Sequence, residues 1–147
     1  MHQSQIAAKI ALEAHKDQWY SSTQKYAYHL NQVADFVVKM YENKVTPEKL
    51  DNLVAIAYLH DVLEDTPTSQ SELTAAGISD KVLHAVVAMT KAGETYEHYI
   101  AKVLANKLAT RVKLCDTAAN LSNSLQDGNK KRINKYTKQI QLLGGFK

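Results

Sequence analysis

The sequence predicts an all-α fold, and three observations support this. Only 2 Pro and 5 Gly occur in 147 residues, which favours helices with short connections over strands and tight turns. Apolar side chains recur at helical spacing in most segments, and no segment alternates β-branched residues as a half-buried strand would. The length and the 45% hydrophobic composition fit one globular domain, which we predict over residues 1–147.

Three helices are predicted in the first half of the chain. Ser4 is the expected N-cap of a helix over about residues 4–18, and residues 19–25 are expected to form a loop. A second helix is predicted over about residues 26–43. Thr46-Pro47-Glu48 combines an N-cap hydroxyl, a proline at the first helical position and an acid in the first turn, so it should begin a third helix.

The third helix should be the central one, because it is apolar on most sides. We expect it to continue to Thr66-Pro67, where the proline disfavours helical dihedral angles at the preceding residue. The second half of the chain is predicted to contain further helices with start signals at Thr68 or Ser69, at Ser79 and at Thr95, then a helix over 109–121, a turn at Asp127-Gly128 and a last helix that ends at Gly144.

Composition and charge limit the expected location and partners. No apolar run approaches the roughly 20 residues that span a bilayer, and no secretion signal is recognisable at the start of the chain. A single cysteine, Cys115, excludes an internal disulfide and is compatible with a reducing compartment, so we expect a cytoplasmic protein without a membrane partner. The net charge of +3 is scattered, and the basic stretch 130–138 is interpreted as a solvated helix face, so no nucleic-acid partner is expected. The sequence gives no indication of the oligomeric state.

Four polar residues stand at the end of the apolar third helix: His60, Asp61, Glu64 and Asp65. Burying several carboxylates together is costly unless a cation neutralises them or some stay protonated. A divalent metal bound by imidazole and carboxylate would remove this cost, and such a mixed ligand set suits Mn, Fe, Zn or Ni better than Ca. The alternative is a solvated helix C-terminus. It fits Glu64 and Asp65 but not Asp61, because acids are unfavourable at the negative end of a helix dipole.

Two more candidate residues lie far away in the sequence. His29 stands near the start of the second helix, on the side that carries Val33 and Phe36, and by itself it is also interpretable as a core histidine. Asp116 lies in an apolar stretch, with Asn120 one helical turn further on the same face. An acid is rarely buried without a partner, and a structural salt bridge to a lysine or arginine is the alternative for Asp116.

The order His29, His60-Asp61, Asp116 resembles the signature of the HD phosphohydrolase superfamily. The segments 14–18, 26–34, 57–66, 90–91 and 111–120 are similar to those of guanosine tetra- and pentaphosphate 3′-pyrophosphohydrolases, a family that includes stand-alone small hydrolases. The resemblance covers about residues 7–136 and implies a compact HD-domain helical bundle.

The resemblance also implies roles for single residues. It implies four ligands for a divalent metal, usually manganese: His29, His60, Asp61 and Asp116. Glu64 and Asp65 match the catalytic acidic pair that activates and positions the attacking water. Asn120 matches a residue that lines the nucleotide site, and Lys113 and Thr90-Lys91 match positions near it. We further expect Lys25, together with Lys113, to offset phosphoryl charge and Tyr26 to contact the substrate, although an aromatic residue beside a loop is also interpretable as packing.

Several family positions carry different residues in this chain. Tyr20 and Ser21 stand where the family has an Arg-Lys pair that contacts the nucleotide, Leu30 replaces a proline, Thr117 an arginine and Ala119 a histidine. These changes remove charge that would pair with a highly phosphorylated ligand, so the metal site should be kept while the substrate can differ.

The expected function is therefore that of a metal-dependent phosphohydrolase acting on a small-molecule nucleotide, foremost a (p)ppGpp 3′-pyrophosphohydrolase. One alternative is an HD hydrolase of another nucleotide or phosphate monoester, such as a nucleotidase or an NADPH phosphatase. The other is a non-catalytic nucleotide-binding module, which fits less well because all four ligands and the acidic pair are present.

Overall fold

Nine helices make up nearly all the regular secondary structure of residues 2–146, the part of the chain that this computed structural model describes. They are α1 (Gln3–Ala14), α2 (Tyr26–Tyr41), α3 (Pro47–Leu59), α4 (Val62–Asp65), α5 (Gln70–Ala75), α6 (Asp80–Ala88), α7 (Tyr96–Leu104), α8 (Lys107–Asp127) and α9 (Lys130–Leu142). The all-α class is confirmed. None of these helices combines the length and the apolar character that crossing a bilayer requires.

The central position of α3 is confirmed by its contacts and burial. It contacts α1, α2, α6 and α8, and Leu53, Ile56 and Leu59 are fully buried. Each such side chain contributes roughly 1.5–3 kcal/mol through removal of its apolar surface from water. The helix begins at Pro47 as predicted, and the Thr46 hydroxyl accepts a hydrogen bond from the Lys49 amide at 3.2 Å.

The prediction that this helix continues to Thr66-Pro67 is wrong. Helix α3 ends at Leu59, and the short helix α4 begins at Val62. His60 Nδ1 donates a hydrogen bond at 2.6 Å to the Ala57 carbonyl, the acceptor to which a continuing α-helix would give the Asp61 amide. Asp61 then takes φ −109° and ψ 1°, in a sparsely populated region where many active-site residues lie. The helix is therefore broken at the adjacent residues His60 and Asp61.

The first helix also differs from its predicted bounds. It begins at Gln3, with His2 as its N-cap, and it ends at Ala14 rather than near residue 18. Ser4 lies inside the helix, where its hydroxyl donates to Asp51 on α3 at 2.5 Å. The prediction of Ser4 as the N-cap is therefore wrong, because its hydroxyl bonds to a neighbouring helix instead. His15, directly after the helix, is buried and stacks on the Tyr26 ring with 4.6 Å between centroids.

Helix α8 is longer than predicted and lies between α2, α3, α7 and α9. It begins at Lys107, where Asn106 caps the Ala109 amide, and it ends at Asp127, followed by Gly128, whose φ of 66° suits glycine. The other capping predictions are confirmed at Ser69, Ser79 and Thr95, each of which accepts a hydrogen bond from an amide in the first turn of its helix. The packing of α2 and α8 against α3 places their buried faces around the α3–α4 junction.

Candidate metal centre

Three helices bring His29, His60 and Asp116 together in the interior. His29 lies on α2, His60 ends α3 and Asp116 lies in the middle of α8, and all three are buried. Their potential ligand atoms all lie within 4.8 Å of one another. His29 Nε2 is 2.8 Å from Asp116 Oδ1, and His60 Nε2 is 3.5 Å from the same oxygen. The fold therefore brings His29 and Asp116, which are 87 positions apart in the sequence, into direct contact.

Asp61 completes this cluster from the more exposed side. Its Oδ2 lies 3.0 Å from His60 Nε2, and it accepts a hydrogen bond from the Tyr26 hydroxyl. Asp61 also belongs to a second acidic group with Glu64 and Asp65, whose carboxylate oxygens lie within 4.8 Å of one another. Three of the four residues matched to metal ligands thus form one group, and Asp61, which contacts this group through His60, connects it to the acidic pair.

The hydrogen bonding of His60 fits a metal ligand. Its Nδ1 donates to a backbone carbonyl, which can only accept, so in the neutral ring Nε2 carries the lone pair. Asp61 and Asp116 are near, yet buried Nε2 has no hydrogen-bond partner within residues 2–146. A ring fixed through one nitrogen, with the other facing carboxylates, is the usual arrangement of a metal-binding histidine. Two imidazoles and two carboxylates could hold one divalent transition-metal ion.

Electrostatic coupling in the cluster is strong. Burial lowers the pKa of His60, but Asp61 and Asp116 outweigh it and raise the pKa well above its usual value. Burial raises the pKa of Asp116, but Lys113 and the two imidazoles outweigh it and hold the pKa well below its usual range. The acids thus favour positive charge at the imidazole nitrogens. A proton and a cation would compete for this position.

Glu64 and Asp65 lie on α4 at the exposed edge of the centre. Glu64 Oε1 accepts a hydrogen bond from the Lys91 amide at 2.7 Å. Burial, followed by the neighbouring Asp61 and Glu64 carboxylates, raises the pKa of Asp65. Because the helix breaks at residues 60–61, these acids do not continue α3, and they lie beside Asp61.

The cluster opens into a cleft of about 380 Å³. Three of the four expected substrate-binding residues line it: Tyr26, Lys113 and Asn120. Lys113 Nζ donates to Asp116 Oδ2 at 2.9 Å, so the salt bridge considered as an alternative role for Asp116 is present beside the imidazole contacts. Lys25 is not brought into the cleft. Its ammonium lies 4.3 Å from the centre of the Trp19 ring, on the loop before α2.

Tyr20 occupies part of the cleft wall, although the sequence comparison treated it mainly as a lost cation. Its ring stacks on His29 with 4.7 Å between centroids and 5° between planes. Its hydroxyl donates to Asn120 Oδ1 at 2.7 Å and accepts from Asn123 Nδ2 at 3.0 Å. A neutral ring therefore holds both the His29 imidazole and the Asn120 amide in place.

Helix α9 also lines the cleft, through Arg132, Lys135 and Tyr136. Lys135 is exposed, in keeping with the interpretation of the basic stretch 130–138 as a solvated face, but this face also borders the cleft. The helix is held against α8 by Gln139, whose Oε1 accepts from the Thr117 hydroxyl at 2.6 Å. The available sequence signal was the spacing of Arg132, Lys135 and Tyr136, which share one helical face, but the sequence alone did not show which way that face points.

Fold and site together define an all-helical protein with a cluster of two histidines and two aspartates beside an acidic pair. No protein-family model matches the chain. It is 32% identical, over 145 aligned residues, to the guanosine-3′,5′-bis(diphosphate) 3′-pyrophosphohydrolase of Haemophilus influenzae. The alignment covers 89% of this chain, which spans about a fifth (20%) of the length of that curated relative.

The structure is similar to that of a metazoan ortholog of SpoT described as hydrolyzing ppGpp and playing a role in starvation responses. The TM-score is 0.76 at 22% sequence identity, with 99% of this chain and 88% of the other covered. This similarity confirms the predicted fold. The expected resemblance to guanosine polyphosphate hydrolases is confirmed as well, by sequence in one protein and by fold in the other.

Proposed function

We propose that this chain is a metal-dependent phosphohydrolase that releases pyrophosphate from the 3′ position of guanosine tetra- or pentaphosphate. The observation that carries the proposal is the meeting of His29, His60, Asp61 and Asp116, with His60 Nε2 facing both carboxylates and without a hydrogen-bond partner in the described chain. The names of the two similar proteins support the substrate.

The proposed metal ligands are His29, His60, Asp61 and Asp116, and the proposed ion is manganese. When bound, such an ion supplies Lewis-acid chemistry, polarising a phosphoryl oxygen and lowering the pKa of water. Lys113 neutralises part of the acidic charge of the cluster through its 2.9 Å contact with Asp116. The Tyr26 hydroxyl orients the Asp61 carboxylate.

Hydrolysis adds one water across a P–O bond. The water oxygen bonds to phosphorus, and the 3′ oxygen leaves and takes up a proton, which gives a guanosine 5′-polyphosphate and pyrophosphate. In the proposed reaction one of Glu64 and Asp65 accepts the proton of the attacking water, and the other gives a proton to the leaving oxygen. The Lys91 amide fixes the Glu64 carboxylate for this task.

The cleft cations offset the charge of the substrate. Lys91, Arg132 and Lys135 line the cleft together with Lys113. Arginine binds phosphate through two parallel hydrogen bonds, and lysine contributes a point charge. This charge compensates in part for the missing Arg-Lys pair. We place the activity in the cytoplasm, since a nucleotide is the substrate and Cys115 is a buried free thiol.

A second candidate function is hydrolysis of a different phosphorylated nucleotide, such as NADPH. The observation that favours it is Tyr20, which fills with a neutral ring the position where the family has a cation. A purely binding module is disfavoured by the complete ligand set and by the acidic pair at the edge of the cleft.

The test is a turnover assay on protein first freed of metal with a chelator and then supplied with Mn²⁺. A panel of guanosine tetraphosphate, guanosine pentaphosphate, GTP and NADPH is incubated with the protein, and pyrophosphate and phosphate are measured separately. We expect pyrophosphate from the first two compounds, with no release in the presence of chelator.

Matched variants make the result specific. Asp61→Ala should abolish turnover, whereas Asp35→Ala, which removes an exposed acid on α2 outside the cleft lining, should keep it. Fastest release of phosphate from NADPH would replace the proposed substrate by the second candidate. Absence of turnover on every compound, despite bound Mn²⁺, would contradict the enzyme and favour the binding module.

A further inference from the structure

A buried histidine on the turn after α1 contacts side chains that hold the acids of the metal cleft. His15 is 2% exposed and is not among the described residues that line the cleft. Its ring stacks on Tyr26 with 4.6 Å between centroids, and its Nδ1 lies 2.8 Å from Gln18 Oε1. Tyr26 in turn donates to Asp61, and Gln18 Nε2 donates to the Asp65 carbonyl at 2.8 Å. Through one side chain each, His15 is therefore connected to a proposed metal ligand and to a proposed catalytic acid.

The chemistry of the acceptors fixes the direction of the hydrogen bonds at Gln18. A backbone carbonyl only accepts, so the Gln18 amide nitrogen faces Asp65 and its oxygen faces His15. That oxygen also only accepts, so His15 Nδ1 carries a proton and donates it. The other ring nitrogen, Nε2, is buried and has no hydrogen-bond partner within residues 2–146, which is costly. A phenyl ring could stack on Tyr26 without that cost, so the bond to Gln18 is what the imidazole adds.

Helix α4 depends on contacts from other segments because it is very short. It has four residues, of which Val62 is buried, and a single helical turn is unstable on its own in water. The Lys91 amide donates to the Glu64 carboxylate at 2.7 Å, and the Gln18 side chain donates to the backbone of Asp65. The first bond fixes one carboxylate, and the second fixes the backbone that carries the other. Without the second bond, Asp65 should move more freely at the edge of the cleft.

Backbone hydrogen bonds connect the turn to the start of α2. The Gln18 amide donates to the His15 carbonyl at 2.9 Å, and the Tyr26 amide donates to the Gln18 carbonyl at 3.0 Å. These bonds hold the three side chains in one arrangement. The turn and the first residue of α2 therefore form a single support beside the cleft.

We propose that His15 is a positioning residue of the hydrolase, acting along two separate routes. Through its Nδ1 proton it orients Gln18 and thereby Asp65. Through its ring face it supports Tyr26 and thereby Asp61. The proposal rests on the proposed function, because these two acids have a chemical task only if the cleft is a metal-dependent active site.

Two substitutions of His15 separate the routes. His15→Phe keeps an aromatic face for Tyr26 and removes the donor to Gln18. We expect kcat at saturating Mn²⁺ to fall about ten-fold, a part of the roughly 10²–10⁴-fold that a positioned acid or base contributes. KM and the dissociation constant of Mn²⁺, measured by electron paramagnetic resonance of the free ion, should change by less than about two-fold, since the metal ligands stay in place.

His15→Asn makes the opposite change. Its amide nitrogen can replace Nδ1 as the donor to Gln18, while the ring that supports Tyr26 is lost. Mn²⁺ should then bind about ten-fold more weakly, as is typical when the support of a metal ligand is removed. At saturating Mn²⁺ the conservative donor should restore kcat to within about three-fold of the wild type.

Amide hydrogen exchange tests the route to α4 without metal or substrate. The amides of Asp65 and Thr66 donate within this segment, to the carbonyls of Asp61 and Val62. In metal-free His15→Phe and Gln18→Ala these two amides should exchange about ten-fold faster, while the amides of α3 keep their wild-type rates. The double variant should have the same kcat and exchange rates as Gln18→Ala, because both changes remove one shared route. A residue that only fills space would instead act additively.

Exposed residues outside the described cleft lining provide the controls. His84→Phe on α6 matches His15→Phe, and Gln70→Ala on α5 matches Gln18→Ala. Both controls should keep the wild-type kcat and exchange rates. A thermal melt checks the folding of each variant. Gln18 is only partly buried, so Gln18→Ala tests the same route if His15→Phe does not fold.

Two results would overturn the proposal. One is an unchanged kcat together with unchanged exchange at Asp65 in His15→Phe and Gln18→Ala. The other is an equal loss of kcat and of Mn²⁺ affinity in both His15 variants, which would show that His15 only packs. Failure of the proposed function gives a different result, a wild-type protein without turnover, and the exchange rates then still decide whether His15 and Gln18 hold α4.

Discussion

Replacing Asp116 by Asn separates the contribution of this residue to stability from its contribution to metal binding. Asp116 can make both because it contacts the candidate metal centre and a buried lysine. Its Oδ2 accepts from Lys113 Nζ at 2.9 Å, and its Oδ1 lies 2.8 Å from His29 Nε2. The side chains of Asp116 and Lys113 are 6% and 14% exposed. Asp116→Asn keeps the shape of the side chain and removes its charge, so Lys113 loses its counter-ion in a buried place.

The expected loss follows from this burial. Removing one partner of a buried ion pair destabilises a protein by about 3–5 kcal/mol, and the slight exposure of Lys113 favours the lower figure. We therefore expect the metal-free variant to lose about 3 kcal/mol of unfolding free energy, or about 6–12 °C in Tm for a chain of this size. Mn²⁺ at one hundred times its dissociation constant should raise the unfolding free energy of the wild type by about 2.7 kcal/mol. It should leave that of the variant almost unchanged.

The assay is urea unfolding followed by circular dichroism, once with chelator and once with Mn²⁺. Asp61→Asn is the matched control: Asp61 is 23% exposed and has no lysine partner in the described chain. Asp61→Asn should no longer be stabilised by Mn²⁺. Without metal, its unfolding free energy should be only about 1 kcal/mol below that of the wild type. The reasoning is refuted if metal-free Asp116→Asn is as stable as the wild type, or if Mn²⁺ stabilises this variant as much.

Three further substitutions have defined outcomes. Tyr26→Phe removes the hydroxyl that donates to Asp61. Loss of a hydrogen-bond partner of a metal ligand typically lowers metal affinity or activity about 10–100-fold, so we expect kcat/KM to fall about ten-fold. An unchanged kcat/KM would show that the hydroxyl does not orient the ligand. Burial raises the pKa of Tyr41 to about 12, above the value near 10 of the unfolded phenol. The folded state thus holds the proton more tightly, and this contribution, on the order of 2 kcal/mol, is complete below pH 10 and lost as the pH rises through 12. Tyr41→Phe should lack this part of the alkaline decline in urea unfolding, and equal declines in both proteins would contradict the assignment. Thr46→Ala should cost about 1 kcal/mol of unfolding free energy because it removes the cap of α3, while Thr137→Ala, at an exposed position on α9, should be nearly neutral; equal effects would mean that the cap does not stabilise α3.

Local signals in the sequence predicted the helices well where the signal lies within one turn. The start of α3 at Thr46-Pro47 depends only on a hydroxyl, a ring and the next amides, all of which are adjacent. The break at His60 was missed because the apolar pattern continues through Leu63. It depends on a ring-to-carbonyl hydrogen bond, which periodicity does not encode. Ser4 was wrongly assigned as a cap because its partner, Asp51, lies on another helix.

The site was predicted as a set of residues but not as a geometry. No spacing rule places His29 beside Asp116, since that contact depends on how α2 and α8 pack on α3. The residues of the cleft wall were even harder to predict from the sequence. Tyr20 was judged mainly by the residue it replaces, and the charges of α9 were judged without the fold that turns Arg132 and Lys135 toward the cleft.

Titration of metal-free protein with Mn²⁺, followed by electron paramagnetic resonance, tests whether His29, His60, Asp61 and Asp116 share one ion. The predicted result is one bound Mn²⁺ per chain with hyperfine coupling to imidazole nitrogen, and loss of this binding in His60→Gln, which removes the unpartnered Nε2. A wild-type protein that leaves all Mn²⁺ free in solution, or a His60→Gln protein that binds it as tightly, would contradict the proposed metal centre.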